Sequence, residues 1–114
     1  MNRVVITGIG IYSTIGKNLA EVKESLLNGR SGIVLDSERK KYGFQSGLTG
    51  KLERPQLKGI LDRRARVCMP EHAEFAYMST AEAIKEARFT PEFFRENETG
   101  IIFGNDSSTP AVID

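Results

Sequence analysis

The run Arg3-Val-Val-Ile-Thr-Gly-Ile-Gly10 governs how the rest of the chain is read. Its first five residues are rich in β-branched side chains and almost continuously apolar. That is the pattern of a strand buried on both faces of a parallel sheet, not of one with a wet face. Gly8 and Gly10 end the strand. Beyond them Ile15, Leu19, Val22 and Leu26 recur three or four apart, which predicts an amphipathic helix over residues 17–28. Gly29 follows where a helix takes a left-handed terminating residue. Strand, turn and helix together form the opening unit of an α/β protein.

The second half of the sequence mirrors that unit. A helix is predicted from Glu71 to Ala87, with a stripe of Ala73, Ala76, Tyr77, Thr80, Ala83, Ile84 and Ala87. Small side chains let neighbouring elements approach closely, so this helix is expected at the centre. Thr90-Pro91-Glu92 combines a hydroxyl cap, a proline at the first helical position and an acidic first turn, starting a short helix that ends near Asn97. Gly100-Ile-Ile-Phe-Gly104 reads as a second buried strand, entering the turn-prone Asn105-Asp-Ser-Ser-Thr-Pro110. Between the halves, Arg30 to Met69 carries five glycines, one proline and no sustained periodicity. It reads as a long connection with short strand pieces near 44–52, of the kind that lies against another part of the protein or a partner. The β-α-(loop)-α-β order points to a layered α/β arrangement with parallel strands. Two strands do not complete a parallel sheet, which needs neighbours and cover, so the sequence reads as truncated.

Composition narrows the class. With 114 residues, 39% hydrophobic, 27% charged and a net charge of +1, the chain fits one small soluble domain with a modest core. That balance implies no bulk attraction to nucleic acid or membrane. No apolar run approaches the roughly 20 residues of a membrane span, and the start lacks a secretory apolar stretch. The single cysteine, Cys68, excludes an internal disulfide and a cysteine-rich metal site. A cytoplasmic protein without metal or cofactor is expected.

Four local patterns bear on chemistry. Gly8-Ile-Gly10 between a strand and a helix invites a dinucleotide fingerprint, but the third glycine position is Ser13 and no acidic residue ends a second strand about 20 positions on. A tight structural turn remains. Cys68 and His72 are four apart, the spacing of a nucleophile and its base on one helix face, but Pro70 disfavours helix between them. The plainer reading is a small buried thiol and a surface histidine. Arg63-Arg64-Ala65-Arg66, with Lys58 before it and Asp62 and Glu71 flanking it, is the densest charge feature. Spacing alone leaves it either a solvated face or a patch that speeds encounter with an acidic partner. Asn105 to Thr109 follows the carboxyl end of the second strand, where open α/β sheets place ligand sites, and is equally a plain turn.

Several stretches together resemble the elongating β-ketoacyl-acyl-carrier-protein synthases. They are Arg3-Val-Val-Ile-Thr-Gly-Ile-Gly-Ile-Tyr-Ser-Thr-Ile-Gly16, Leu27-Asn-Gly-Arg-Ser-Gly-Ile33, Leu61-Asp-Arg-Arg64 with Met69, Ala81-Glu-Ala-Ile-Lys-Glu-Ala87 and Gly100-Ile-Ile-Phe-Gly104. Within that family Tyr42-Gly-Phe-Gln-Ser46 and Leu61-Asp-Arg-Arg64 look closer to the synthase I branch. The resemblance covers nearly all of residues 1–114 and implies the first part of the first half of a thiolase-like, layered α/β/α/β/α fold, normally a homodimer. It implies an acyltransferase of fatty-acid synthesis that condenses acyl and malonyl thioesters of acyl carrier protein by decarboxylative Claisen chemistry. The family's catalytic cysteine and two histidines would fall beyond Asp114, so no catalytic residue is expected in this chain. Cys68 stands where the family commonly has a large apolar residue. Arg63 and Arg64 match the basic residues that receive the acidic carrier protein. A third such position is Val67 here, and Arg66 beside it is the candidate substitute. Asn105, Asp106, Ser107 and Ser108 match the loop that helps shape the acyl pocket, with Ser107 at the position that lines it. The same pattern leaves open a free-standing carrier-protein-binding module without catalysis.

Overall fold

Asn18 opens α1 (Leu19–Leu27): its side-chain oxygen accepts from the Glu21 N–H at 2.9 Å, satisfying a first-turn donor that has no partner within the helix. At the other end Gly29 takes φ +63°, and the Gly29 and Arg30 N–H groups donate to the Leu26 and Ser25 carbonyls, a Schellman closure. The computed structural model describes residues 3–106, and the elements that follow are β1 (Ile33–Leu35), α2 (Ser37–Lys41), β2 (Leu48–Gly50), α3 (Arg63–Val67), α4 (Glu71–Ala87) and α5 (Pro91–Glu96). β1 and β2 pair antiparallel, with Ile33 opposite Gly50 and Leu35 opposite Leu48. The connection over 30–69 therefore holds two short strands and two short helices. Each of those helices starts on an aspartate: Asp36 accepts from Glu38 N–H and Asp62 from Ala65 N–H.

The helix over 71–87 has the bounds predicted for it, and it organises its surroundings. A Cβ on Gly10 would collide with the Ser79 carbonyl, and one on Gly8 with the Ala83 carbonyl and the Ala87 amide. Only glycine lets the backbone at 8–10 lie this close to the helix. Carboxylates of α4 then hold that backbone: Glu86 accepts from Ile9 N–H, and Glu82 accepts from Ile11 N–H at 2.9 Å and from Leu19 N–H at 2.8 Å. Tyr12 stacks on Phe75 with ring centroids 5.5 Å apart. Past α4, Phe89, Phe93 and Phe94 pack on one another, and Thr90 caps α5 as its sequence predicts.

The parallel pair expected at 3–7 and 100–104 is corrected. Neither segment belongs to a strand among the described residues, and both are exposed, Ile6 by 83% and Ile102 by 99%. The reason is geometric. A parallel strand is stable only with hydrogen-bonded neighbours and cover on both faces, and among the described residues no element supplies them. Among the described residues the buried apolar core is correspondingly thin, with Val22 and Leu57 the hydrophobic residues in it. A radius of gyration of 17.4 Å against roughly 13 Å for a compact chain of this length agrees with that.

Two expectations follow. Gly10→Ala should lose about 1–3 kcal/mol by overpacking against α4, whereas Gly100→Ala, with nothing within 4 Å of its new methyl, should not; equal urea midpoints for the two would remove the close-approach argument. Arg88 closes α4 at φ 58°, ψ 31°, a left-handed conformation that costs a non-glycine residue about 1 kcal/mol or more. Arg88→Gly should therefore raise the thermal midpoint, and a lowered one would show that the guanidinium has a stabilising role.

Candidate functional site

The basic cluster is built by a turn and a cap. Ile60 and Leu61 N–H both donate to the Leu57 carbonyl, at 3.1 and 3.0 Å, while the Leu57 side chain is buried. Gly59 makes the reversal at φ +92°. Asp62 then caps α3, its carboxylate accepting from the Ala65 N–H at the positive helix end. Arg63 and Arg64 are exposed on successive positions of α3, which point about 100° apart.

The structure separates the predicted docking residues. Arg63 and Arg66 both line an open hollow of about 560 Å³ between α3 and residues 54–58, together with Lys58, Val67 and Glu74; Arg64 is not among its lining residues. Arg66 is partly fixed, its Nε donating to the Leu61 carbonyl at 3.2 Å. At the back of the hollow Arg54 makes a two-pronged contact with Glu74, at 2.9 and 2.6 Å. Glu74 is almost fully buried, and the Arg54 hydrogen bond holds its carboxyl below the usual 4.5, against desolvation that pushes the other way. The same contact raises the Arg54 guanidinium. This pair was missed in the sequence because its partners are 20 residues apart on different elements; nothing periodic connects them.

The second predicted loop reaches a different cavity. Asn105 lines an apolar groove of about 580 Å³ with Phe103, Ile101, Ala76, Tyr77 and Thr80, so the small-residue stripe of α4 forms one wall. Asp106 is exposed and is not among the lining residues. Ser107 and Ser108 lie outside the described residues.

The thiol and imidazole readings change. Cys68 is exposed at the end of α3, not buried, because its backbone caps the helix with the side chain outward. His72 is half-buried and lines the apolar groove, so it is not a plain surface histidine. Among the described residues no three histidine, cysteine or carboxylate side chains are grouped to hold a metal. No helix there is long and apolar enough to cross a membrane.

A further cleft, of about 910 Å³, is lined by Tyr12, Lys17, Glu53, Arg54, Glu82 and Lys85 among others. Most of its charges are already matched. Lys17 pairs with Glu53 at 2.7 Å, Arg54 with Glu74, and Glu82 with two amides. The Lys17–Glu53 contact raises the amine and lowers the carboxyl, but both groups are largely exposed and such pairs contribute little. Around α3, by contrast, Lys58, Arg63, Arg64 and Arg66 form no ion pair among the described residues.

Residues 1–112 match the family profile described as the β-ketoacyl synthase, N-terminal domain. The chain belongs to the β-ketoacyl synthase family. Among curated relatives, 3-oxoacyl-[acyl-carrier-protein] synthase 1 of Escherichia coli K12 is 38% identical over 111 residues, covering 96% of this chain and 27% of that protein. The synthase 1 of Buchnera aphidicola subsp. Baizongia pistaciae is 36% identical over the same length and coverage. A 3-oxoacyl-[acyl-carrier-protein] synthase 2 of Synechocystis is 26% identical over 102 residues, covering 90% of this chain and 24% of that protein. The β-ketoacyl synthase chain thus spans about a quarter of the length of these relatives.

The Arg54–Glu74 pair sets a pH dependence. Because the folded carboxyl lies below 4.5, its contribution is complete above the unfolded value and is lost as pH falls through the folded one. The stability difference between the native chain and Glu74→Gln should therefore shrink from about pH 6 to about pH 3 in denaturant titrations. A difference that stays constant over that range would assign Glu74 a purely steric role.

Proposed function

We propose that this chain is the amino-terminal part of a β-ketoacyl-acyl-carrier-protein synthase. In that reading the parent is a carbon–carbon bond-forming acyltransferase of fatty-acid synthesis, joining an acyl group to malonyl-carrier protein with loss of carbon dioxide. The observation that carries it is the unbroken family match over residues 1–112, supported by the exposed basic face of α3. Arg63, Arg64 and Arg66 receive the acidic carrier protein, and the loop at Asn105, Asp106, Ser107 and Ser108 helps shape the acyl pocket. Asn105 on the apolar groove is in keeping with that second role. The parent adopts the layered thiolase-like fold, works as a homodimer in the cytoplasm and takes acyl and malonyl thioesters.

Under this reading the 114-residue chain performs no condensation. The nucleophile of such chemistry needs an activating base, and among the described residues none is hydrogen-bonded to the Cys68 thiol at the end of α3. Incubated with acyl- and malonyl-carrier protein, the chain should yield no elongated product above a protein-free control. Any elongated product abolished by Cys68→Ala would place the chemistry in this chain and overturn the reading.

A second reading, a carrier-protein-binding module without catalysis, is favoured by the unmatched charge on α3. It predicts salt-sensitive binding of the carrier protein by this chain, weakened by Arg63→Glu and Arg64→Glu. No measurable binding at low ionic strength would remove it.

A further inference from the structure

The hollow beside α3 contains a cation that the family resemblance does not use. Lys58 lies in the turn before the helix, and that turn is held in place. The Leu57 side chain anchors it in the core, the Leu57 carbonyl takes two N–H groups, and Lys58 and Leu61 form an isolated backbone bridge. Lys58 is exposed and shares the hollow's lining with Arg63 and Arg66. Among the described residues no carboxylate pairs with Lys58 or Arg63, while Arg54, behind them, is neutralised by Glu74. Of the other acidic groups nearby, Asp62 accepts from the Ala65 N–H, and Glu71, exposed at the start of α4, acts on Arg54 and pairs with neither Lys58 nor Arg63. The hollow therefore presents Lys58, Arg63 and Arg66, none of them in an ion pair among the described residues, in front of the Arg54–Glu74 pair.

We propose that Lys58 is a docking residue for the acidic carrier protein, and that a carboxylate of that partner seats in the hollow between Lys58 and Arg63. This rests on the carrier-protein reading of Arg63 and Arg64 and extends it from the face of α3 onto the preceding turn. Charge complementarity selects the occupant, because clustered unmatched cations on a fixed frame favour an acidic surface and exclude a basic one. The arrangement also gives the patch a second side. Val67, where the family resemblance puts a third cation, lines the same hollow as Lys58, so a lysine from the turn returns positive charge to that face.

The test is a fluorescence titration of the 114-residue chain with acyl carrier protein at low and high salt. Lys58→Glu should weaken binding by roughly three- to tenfold at low salt, with the effect shrinking at high salt as charges are screened. Lys40→Glu, the same charge change on exposed α2, controls for net charge. Lys58→Gln, which removes charge without reversing it, serves if Lys58→Glu alters the circular dichroism. Equal losses for Lys58 and Lys40 variants, with Arg63→Glu still weakening binding, would overturn the role of Lys58 and leave the carrier-protein reading standing. If the native chain does not bind, the docking reading falls and the role of Lys58 with it.

Discussion

A single carboxylate on α4, that of Glu82, holds the two ends of the opening segment. One oxygen accepts from Ile11 N–H, where the glycine-rich run meets the helix, and the other from Leu19 N–H in the first turn of α1. Backbone donors at a helix start have no partner within the helix and must find one elsewhere. Here the partner comes from 63 residues further along the chain. Because charged acceptors bind amides more strongly than neutral ones, this contact fixes the direction of α1 and the path of residues 8–11 at once. Glu86 and the glycine contacts then follow from the same placement. The Gly8 and Gly10 backbone can meet α4 only if the segment runs along it, and Glu82 sets that course.

Beside this polar tie the apolar packing is sparse. The β-branched run at 3–7 and the apolar residues at 101–103 carry the composition of buried strands and stand exposed. Exposed apolar area on this scale marks a surface meant to be covered. The relatives are nearly four times as long as the stretch they share with this chain. An amphipathic helix can fold against a few neighbours, but a parallel strand cannot form without the next strand beside it. That asymmetry explains why the helices are present and the parallel pair is not.

The same physics decides what was legible in the sequence. α4 was readable to the residue because seventeen positions of repeating small side chains give a long periodic signal. α1 and α5 were readable through their caps, Gly29 and Thr90-Pro91. The strand piece near 44–52 was found as β2, but its partner β1 and the short helices α2 and α3 were not, since three to five residues hold no measurable period. Asp36 and Asp62 were the available signals for those helices. Asp62, next to the arginines in sequence, proves to be the cap of α3. For the site, the sequence groups Arg63, Arg64 and Arg66, but the common hollow of Arg63 and Arg66, and the exclusion of Arg64 from it, depend on the turn at Leu57–Leu61. Arg88 at positive φ left no trace in the pattern, because any helix former fits the stripe there.

Charge on α3 is available for recognition because of how the neighbouring acids are used. In a chain of net charge +1, most cations could be neutralised by some carboxylate. Two of the carboxylates around the basic cluster have structural roles: Asp62 caps the helix, and Glu74 is buried against Arg54. Burying Glu74 would be costly if it were unpaired, so Arg54 is committed to it, and neither can shift to neutralise Lys58 or Arg63. Structural demands on two acids thus leave a local excess of positive charge that the net composition hides.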